Sequence, residues 1–397
     1  MIKGRQGLNQ ESIQEMNRTL LISLLRKEGI CARAHLANLS MLKQATVTNI
    51  INDFIDWGLV KEVGFLVGSK GRRSIGISIN NDDYGVLGIR LARRNYTVGL
   101  FDLSGNLVEY KREEIQPAKK PREIFEAIKA ESKQLLCSAG DRKVIAVGMA
   151  IPGPYNIKGG RIELMTGVSG WNEIPIEEEL TQTLELPVFL EQDANAAALA
   201  QYWHNEEDYK NSVLVYIADG QGVGAGIISN GELLKGSIGV AGEIGHTSIN
   251  INGPRCACGN LGCLENYCSS IAFTKKINEQ LKPEKEYTFS EAAELVKQGN
   301  EKAVEIFMES CDNLSVGIVN VINSFNPAAI IIGDEMAHIA PEMMLERVRN
   351  DVKERVLPQI YANMDISMSV VSSDSMVHGA AITAIMDIFG KPEKYFA

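Results

Sequence analysis

Apolar positions change their spacing along the chain. In residues 12–28, Ile13, Met16, Leu20, Leu21, Leu24 and Leu25 recur at helical intervals, and Gly29 follows the last turn. This spacing predicts an amphipathic helix with one apolar stripe. Two shorter helices follow over residues 33–39 and 43–55, separated by Ser40-Met41-Leu42, with Val47, Ile50, Ile51 and Phe54 as the inward face of the second. The period then drops to two: Val63, Phe65 and Val67, a turn at 68–73, and Ile75, Ile77 and Ile79 predict a hairpin. From residue 86 onward apolar strands such as Val144-Ile145-Ala146-Val147 and Ala329-Ile330-Ile331-Ile332 alternate with helical stretches, including about 122–138 and about 302–324. The first part reads as a helix-turn-helix with a wing, and the rest as an α/β body.

Charge separates the same two parts. The whole chain carries a net −10 over 397 residues, but residues 1–80 hold 11 Lys and Arg against 6 Asp and Glu, leaving 29 against 44 for the remainder. A basic module on an acidic body suits a protein that meets phosphates at one end only. The side chains placed for DNA are Arg33 at the start of the first short helix, Lys43, Gln44, Thr46, Thr48 and Asn49 near the start of the second, and Lys70, Arg72 and Arg73 at the wing tip. Their lengths and donors match base edges and backbone phosphates. No apolar run is long enough for a membrane span, and the start Met1-Ile2-Lys3-Gly4-Arg5 lacks the apolar core of a signal peptide. The expectation is a cytoplasmic protein without a membrane partner.

Four of the seven cysteines crowd into residues 256–268, a spacing that points to metal rather than to a disulfide framework. Cys31, Cys137 and Cys311 stand apart as small apolar residues. Upstream of the crowded segment lies a glycine-rich stretch, Gly220-Gln221-Gly222-Val223-Gly224-Ala225-Gly226, followed by Gly236 and Ala241-Gly242-Glu243-Ile244-Gly245-His246. Glycines in such a loop permit tight turns and close backbone approach to a ligand.

With Cys256-Ala257-Cys258-Gly259-Asn260-Leu261-Gly262-Cys263-Leu264-Glu265, this run resembles the ROK family of bacterial sugar repressors and sugar kinases. The resemblance spans the winged helix and the body. It implies a winged helix-turn-helix over 1–80 and a two-lobed, actin-like (ribonuclease H-like) body over 81–397. Lobe one would cover about 81–195 plus a C-terminal helix at about 376–390, and lobe two about 196–375. His246, Cys256, Cys258 and Cys263 would form one closed, structural zinc site per chain, with Cys268 as a substitute ligand.

Sugar-binding members imply that Gly153, Asn172, Asp193, Glu243, His246 and Glu265 line a cleft between the lobes. His246 would serve zinc with one ring nitrogen and sugar with the other. Asp193 also suits the start of the Ala-rich helix that follows it. Kinase members use its equivalent as the general base, and they open their first strand with an Asp and a Gly-Gly-Thr turn for metal and phosphates. Here that place reads Arg90-Leu91-Ala92-Arg93-Arg94-Asn95, Gln221 replaces a usual Thr, and a glycine pair becomes Gly333-Asp334.

The expectation is therefore a non-enzymatic repressor of carbohydrate-utilisation genes, binding double-stranded operator DNA as a homodimer or dimer of dimers. A sugar or sugar phosphate in the cleft would shift operator affinity, with motion carried through the linker near 80–86. Two other readings stay open: an ATP-dependent sugar kinase, and a repressor controlled by a protein such as a sugar-transporter component.

Overall fold

The computed structural model describes residues 10–67, 73–116, 118–153, 155–156, 161–162, 169–369 and 374–396. The N-terminal module contains α1 (Gln10–Glu28), β1 (Cys31–Ala32), α2 (Arg33–Ser40), α3 (Gln44–Asp56), β2 (Val60–Val67) and β3 (Arg73–Ile79). Its strands form a sheet in the order β1-β3-β2, the wing beside the helix-turn-helix. Val47, Ile50, Ile51 and Phe54 of α3 are buried, as their helical spacing requires. Met41 takes the left-handed conformation at the end of α2 and turns the chain toward α3.

The stripe expected on α1 divides. Leu21, Ile22 and Leu25 are fully buried, whereas Ile13, Met16 and Leu20 are exposed. Only the second half of α1 has the body to cover it: Thr19 donates to the carbonyl of Phe389, and Arg26 to that of Trp203 at 3.1 Å. The connection into the body is a short pinned turn, in which the Asn80 side chain donates to Gly58 O at 3.0 Å and to Asp83 at 2.9 Å.

The body is built twice from one topology. Its first sheet comprises β4 (Tyr84–Leu91), β5 (Asn95–Asp102), β6 (Leu107–Glu114), β7 (Lys143–Ile151) and, after the two-residue strands β8 (Tyr155–Asn156) and β9 (Arg161–Ile162), β10 (Val188–Gln192). The second comprises β11 (Val213–Asp219), β12 (Val223–Ser229), β13 (Glu232–Leu233), β14 (Ala329–Gly333) and β15 (Asp365–Met368). In order β10-β7-β4-β5-β6 and β13-β12-β11-β14-β15, each sheet is an antiparallel meander extended beyond its first strand by two successive parallel strands. The central strands β4, β5, β7, β11 and β14 read as near-continuous buried runs, whereas the edge strands β6 and β13 are more polar and more exposed.

Two helices cross between the sheets, Asp193–His204 and Ser375–Gly390. Their approach depends on missing side chains: a Cβ on Gly379 would stand 1.7 Å from Ala196 O, and one on Gly148 would stand 1.7 Å from Ala380 O. The helix Glu301–Phe325 buries Phe307, Cys311, Leu314, Ile318 and Ile322 in the core of the second lobe, the packing role its period predicts.

Candidate functional site

Between the sheets lies an open cleft of about 740 Å³, walled by Pro152, Gly153, Asp193, Gln221, Gly222, Glu243, His246 and Glu265 among others. Strand β10 ends at Gln192, so the first residue of the following helix, Asp193, faces the cleft. Gln192 holds the helix cap position, and Asp193 Oδ1 accepts the Ala194 amide at 2.7 Å, so the carboxylate is oriented by the helix it begins. Glu243 reaches the cleft because Gly242 precedes it at φ +95°, where a Cβ would stand 1.9 Å from Ala225 O. Gln192 Nε2 then donates to Glu243 Oε1 at 2.7 Å and fixes that carboxylate.

Burial pushes the Asp193 carboxyl up to about 6, against the pull of the Arg90 charge, and burial also raises Glu243. Desolvated carboxylates of this kind are strong acceptors for sugar hydroxyls. Of the residues expected at a sugar, Gly153, Asp193, Glu243, His246 and Glu265 share this cleft. Asn172 does not: it is exposed on the short turn Trp171–Glu173, outside the cleft wall.

His246 joins the cleft to a cluster of thiols. One donor atom from each of His246, Cys256, Cys258 and Cys263 lies within 4.8 Å of all the others. The Cys258 and Cys263 sulfurs are 3.6 Å apart, and Cys256 Sγ is 3.7 Å from His246 Nδ1. A tetrahedron with metal–ligand bonds of about 2.0–2.3 Å has edges of roughly 3.3–3.8 Å, so the donors fit a metal of zinc's size and preference. Nδ1 faces the thiols, while Nε2 lies 3.9 Å from Glu243 Oε2. Cys268 is outside the cluster, buried with its thiol directed at Leu264 O.

On the other side of Asp193 the lobes are tied together. Arg90 is buried, 2.8 Å from Asp374 and 3.2 Å from Asp334. Burial works against its charge, but Asp374 and Asp334 more than offset this and hold it protonated. Arg94 pairs with Glu335 at 2.6 Å and donates to Ser270, and Arg93 donates to Gln221 O at 3.0 Å. All three arginines come from the end of β4 and the turn after it, and Asp334, Glu335, Ser270 and Gln221 all belong to the second lobe. Gly220 touches the same network, since a Cβ there would stand 2.1 Å from Asp334 Oδ2.

The candidate DNA face is mixed. Lys43, Gln44 and Asn49 are exposed at the start of α3, and Arg73 is exposed at the foot of the wing. Thr46 and Thr48 are half-buried, and the Thr48 hydroxyl donates to Gln44 O at 2.8 Å. Arg33 is engaged inside the module, 2.9 Å from Glu62 and 3.4 Å from Asn52, and so braces α2 against α3 and the wing. Lys70 and Arg72 lie outside the described residues.

The ROK family profile matches residues 86–386, about three quarters of the chain. The chain belongs to the ROK family. Among ROK proteins it is 29% identical to the xylose repressor of Caldicellulosiruptor bescii over 97% of this chain and 99% of that one. A solved ROK family transcriptional regulator, a homologue of the Escherichia coli MLC protein, superposes with a TM-score of 0.79 at 27% identity, covering 95% of this chain and 97% of its own. The ROK hexokinase of Thermus thermophilus superposes at 0.62 with 26% identity, covering 99% of itself but 77% of this chain. The fold is thus a ROK body with an N-terminal DNA-binding domain. Among the described residues no helix is long and apolar enough to cross a membrane.

Sequence reading noted Arg90 and Asp334 as departures but missed that they are partners, and it missed Asp374 and Gln192 altogether. A signal for the pair was present: an arginine inside an otherwise apolar strand needs buried counter-charge.

Proposed function

We propose that this chain is a transcriptional repressor whose winged helix binds a double-stranded operator and whose interlobe cleft takes a sugar that shifts operator affinity. The observation that carries this reading is the asymmetry of the cleft. On one side stand the acceptors Asp193, Glu243 and Glu265, with His246, all suited to hydroxyls. On the other, where a kinase would place nucleotide phosphates and a divalent ion, Arg90 is already neutralised by Asp334 and Asp374. Asp334 and Asp374 are thereby committed to a guanidinium, and Arg90 and Arg93 line the cleft where a kinase would hold phosphates. The names of the relatives support the same reading.

Zinc held by His246, Cys256, Cys258 and Cys263 would act structurally, closing the loop that carries Glu243 and Glu265 and orienting the His246 ring. A two-fold homodimer would present two α3 helices to half-sites about 34–36 Å apart, or a multiple of that. Lys43, Gln44, Thr46, Thr48 and Asn49 would face base edges, with Lys70, Arg72 and Arg73 against phosphates.

A thermal-shift screen of the metal-loaded protein against free sugars and sugar phosphates tests the sugar reading, since a ligand of the native state raises apparent stability. Stabilisation by a sugar, lost in Glu243→Ala, supports it. The retained Asp193 favours one rival, a ROK sugar kinase with Asp193 as general base. Sugar-dependent ATP turnover that disappears in Asp193→Asn would establish that rival.

A further inference from the structure

The lobes are tied at two places, and the two ties are unlike. At the first, Arg90 is matched by Asp334 and Asp374, and all three side chains are only 9–10% exposed. At the second, the contacts come from one loop of the second lobe, residues 235–243, which follows β13 and ends in the cleft at Glu243. Its two legs meet consecutive residues at the end of β10 in the first lobe. Lys235 Nζ donates to Glu191 Oε2 at 2.6 Å, and Gln192 Nε2 donates to Glu243 Oε1 at 2.7 Å. The Ala241 amide donates to Lys235 O at 3.2 Å and draws the legs together, and the loop turns through Gly236 at φ +71° and Gly242 at φ +95°. It is a strap across the junction of the lobes, at the end of the cleft walled by Gln192 and Glu243.

Glu191 makes this strap breakable at one point. Its side chain is 2% exposed, and Oε1 is satisfied within its own lobe by the Gln192 amide and the Asn195 side chain, both at 3.0 Å. Among the described residues Oε2 has Lys235 as its one partner, and Lys235, 46% exposed, has no second carboxylate within 4.0 Å. A one-to-one pair whose cation reaches water opens for the loss of a single charge-assisted hydrogen bond, whereas opening Arg90 strands two buried acids. Loss of the Lys235 bond also frees the strap that carries Glu243, so latch and sugar acceptor move together.

We propose that Lys235 is the latch of this strap and a positioning residue of the cleft. Its bond to Glu191 holds the lobes together at Gln192 and Glu243; its release, with the Arg90 cluster as pivot, opens the cleft and lets a bound sugar leave. This inference rests on the sugar-binding reading above and adds the element that times ligand exchange.

The test begins with hydrogen exchange of the full-length, metal-loaded, ligand-free protein, read at the amides of Gln192 and Ala241, which the strap holds, and at Cys256, which is bonded elsewhere in the second lobe. Lys235→Met speeds exchange at the first two about tenfold, the worth of one hydrogen bond to a charged group, and leaves Cys256 unchanged. Lys235→Arg, which keeps the cation, restores most of the protection. Adding Glu191→Gln to Lys235→Met changes little more, because both remove one bond. Stopped-flow release of xylose, glucose or N-acetylglucosamine, whichever raises the melting temperature, quickens in Lys235→Met by about the same factor. If Lys235→Met leaves exchange at Gln192 and Ala241 as it was, the latch is wrong whether or not a sugar binds. If exchange quickens and release does not, the timing of ligand exchange is wrong and the sugar reading stands. If none of the three sugars binds, the timing claim fails with the sugar reading, and the exchange data still decide the latch. Wild type in about 1 M sodium chloride, which screens a half-exposed pair, shows the same quickening and gives the answer if the Met variant folds poorly.

Discussion

The guanidinium of Arg26, on α1 of the winged helix, stacks 3.8 Å from the centre of the Trp203 indole at the end of the helix that begins at Asp193. Arg26 also donates to Trp203 O and pairs with Glu206 at 3.0 Å, and Lys27 pairs with Glu206 and Glu207. The helix Asp193–His204 has 12 residues and so spans about 18 Å at 1.5 Å per residue. Its partner Ser375–Gly390 starts beside Asp374 at the Arg90 pair and ends at Phe389, which stacks on Trp203 and accepts from Thr19. Two crossing helices thus connect the cleft to α1, a more direct route than the pinned turn at 80–83.

Breaking that contact should separate sensing from response. Arg26→Ala is expected to keep its sugar affinity but lose most of the effect of sugar on operator binding. A desolvated cation–aromatic contact with its ion pair is worth about 2 kcal/mol, enough for a roughly thirtyfold change in an equilibrium. Parallel titrations of sugar and of operator DNA check this. An unchanged sugar response in a folded variant would rule out the α1 contact as the coupling element.

Removing Arg90 should destabilise the protein without creating a kinase. Arg90→Met leaves Asp334 and Asp374 buried and unpaired, a loss of about 3–5 kcal/mol by the behaviour of broken buried ion pairs. Adding Asp334→Asn and Asp374→Asn should recover much of it. Denaturant titration of the single and triple variants measures both effects.

Asp193 sets a pH dependence with a definite sign. Its carboxyl is raised from 3.8 to about 6 in the folded, ligand-free protein by burial. The folded state therefore holds the proton more tightly than the unfolded one, and this contribution is present below about pH 4 and lost as pH rises through 6. At pH 7 the ligand-free Asp193→Asn variant should melt higher than wild type by a few degrees and bind sugar more weakly. Asp219 is a second case: both its carboxylate oxygens are buried without hydrogen bonds among the described residues, and burial raises it strongly. Asp219→Asn should likewise raise the melting temperature at neutral pH.

Metal removal should act on the sugar side first. If the cluster holds zinc, chelation under mild denaturant is expected to release one ion per chain and to abolish sugar affinity, because His246 belongs to the cluster and Glu243 and Glu265 lie within three residues of its members. Structural zinc sites of this donor set contribute on the order of 10 kcal/mol locally. Metal analysis of purified protein with titration before and after chelation tests it, and Cys258→Ser should reproduce the loss.

Much of this was legible in the chain because one-dimensional periods map onto local structure. The 3.6-residue spacing of Val47, Ile50, Ile51 and Phe54 and the alternation of Ile75, Ile77 and Ile79 needed no tertiary information. The thiols at 256, 258 and 263 are close in sequence, so spacing alone pointed to metal, while the choice of Cys263 over Cys268 came from the family resemblance. What was not legible depends on chain segments that meet only after folding. The α1 stripe looked uniform because period does not tell which half a distant helix will cover. Arg33 looked free for DNA because Glu62, its partner, lies 29 residues away, and Asp374 is 284 residues from Arg90. Asn172 carried a family expectation that its exposed turn does not meet.

The most direct test of the central claim is operator binding measured with and without effector. A duplex selected from random DNA by the full-length protein would be titrated by fluorescence anisotropy, alone and with the sugar or sugar phosphate that stabilises the protein. The account predicts a change in operator affinity of at least tenfold, absent in Glu243→Ala. Operator affinity that no sugar or sugar phosphate alters would contradict it and would leave a protein partner as the source of the signal.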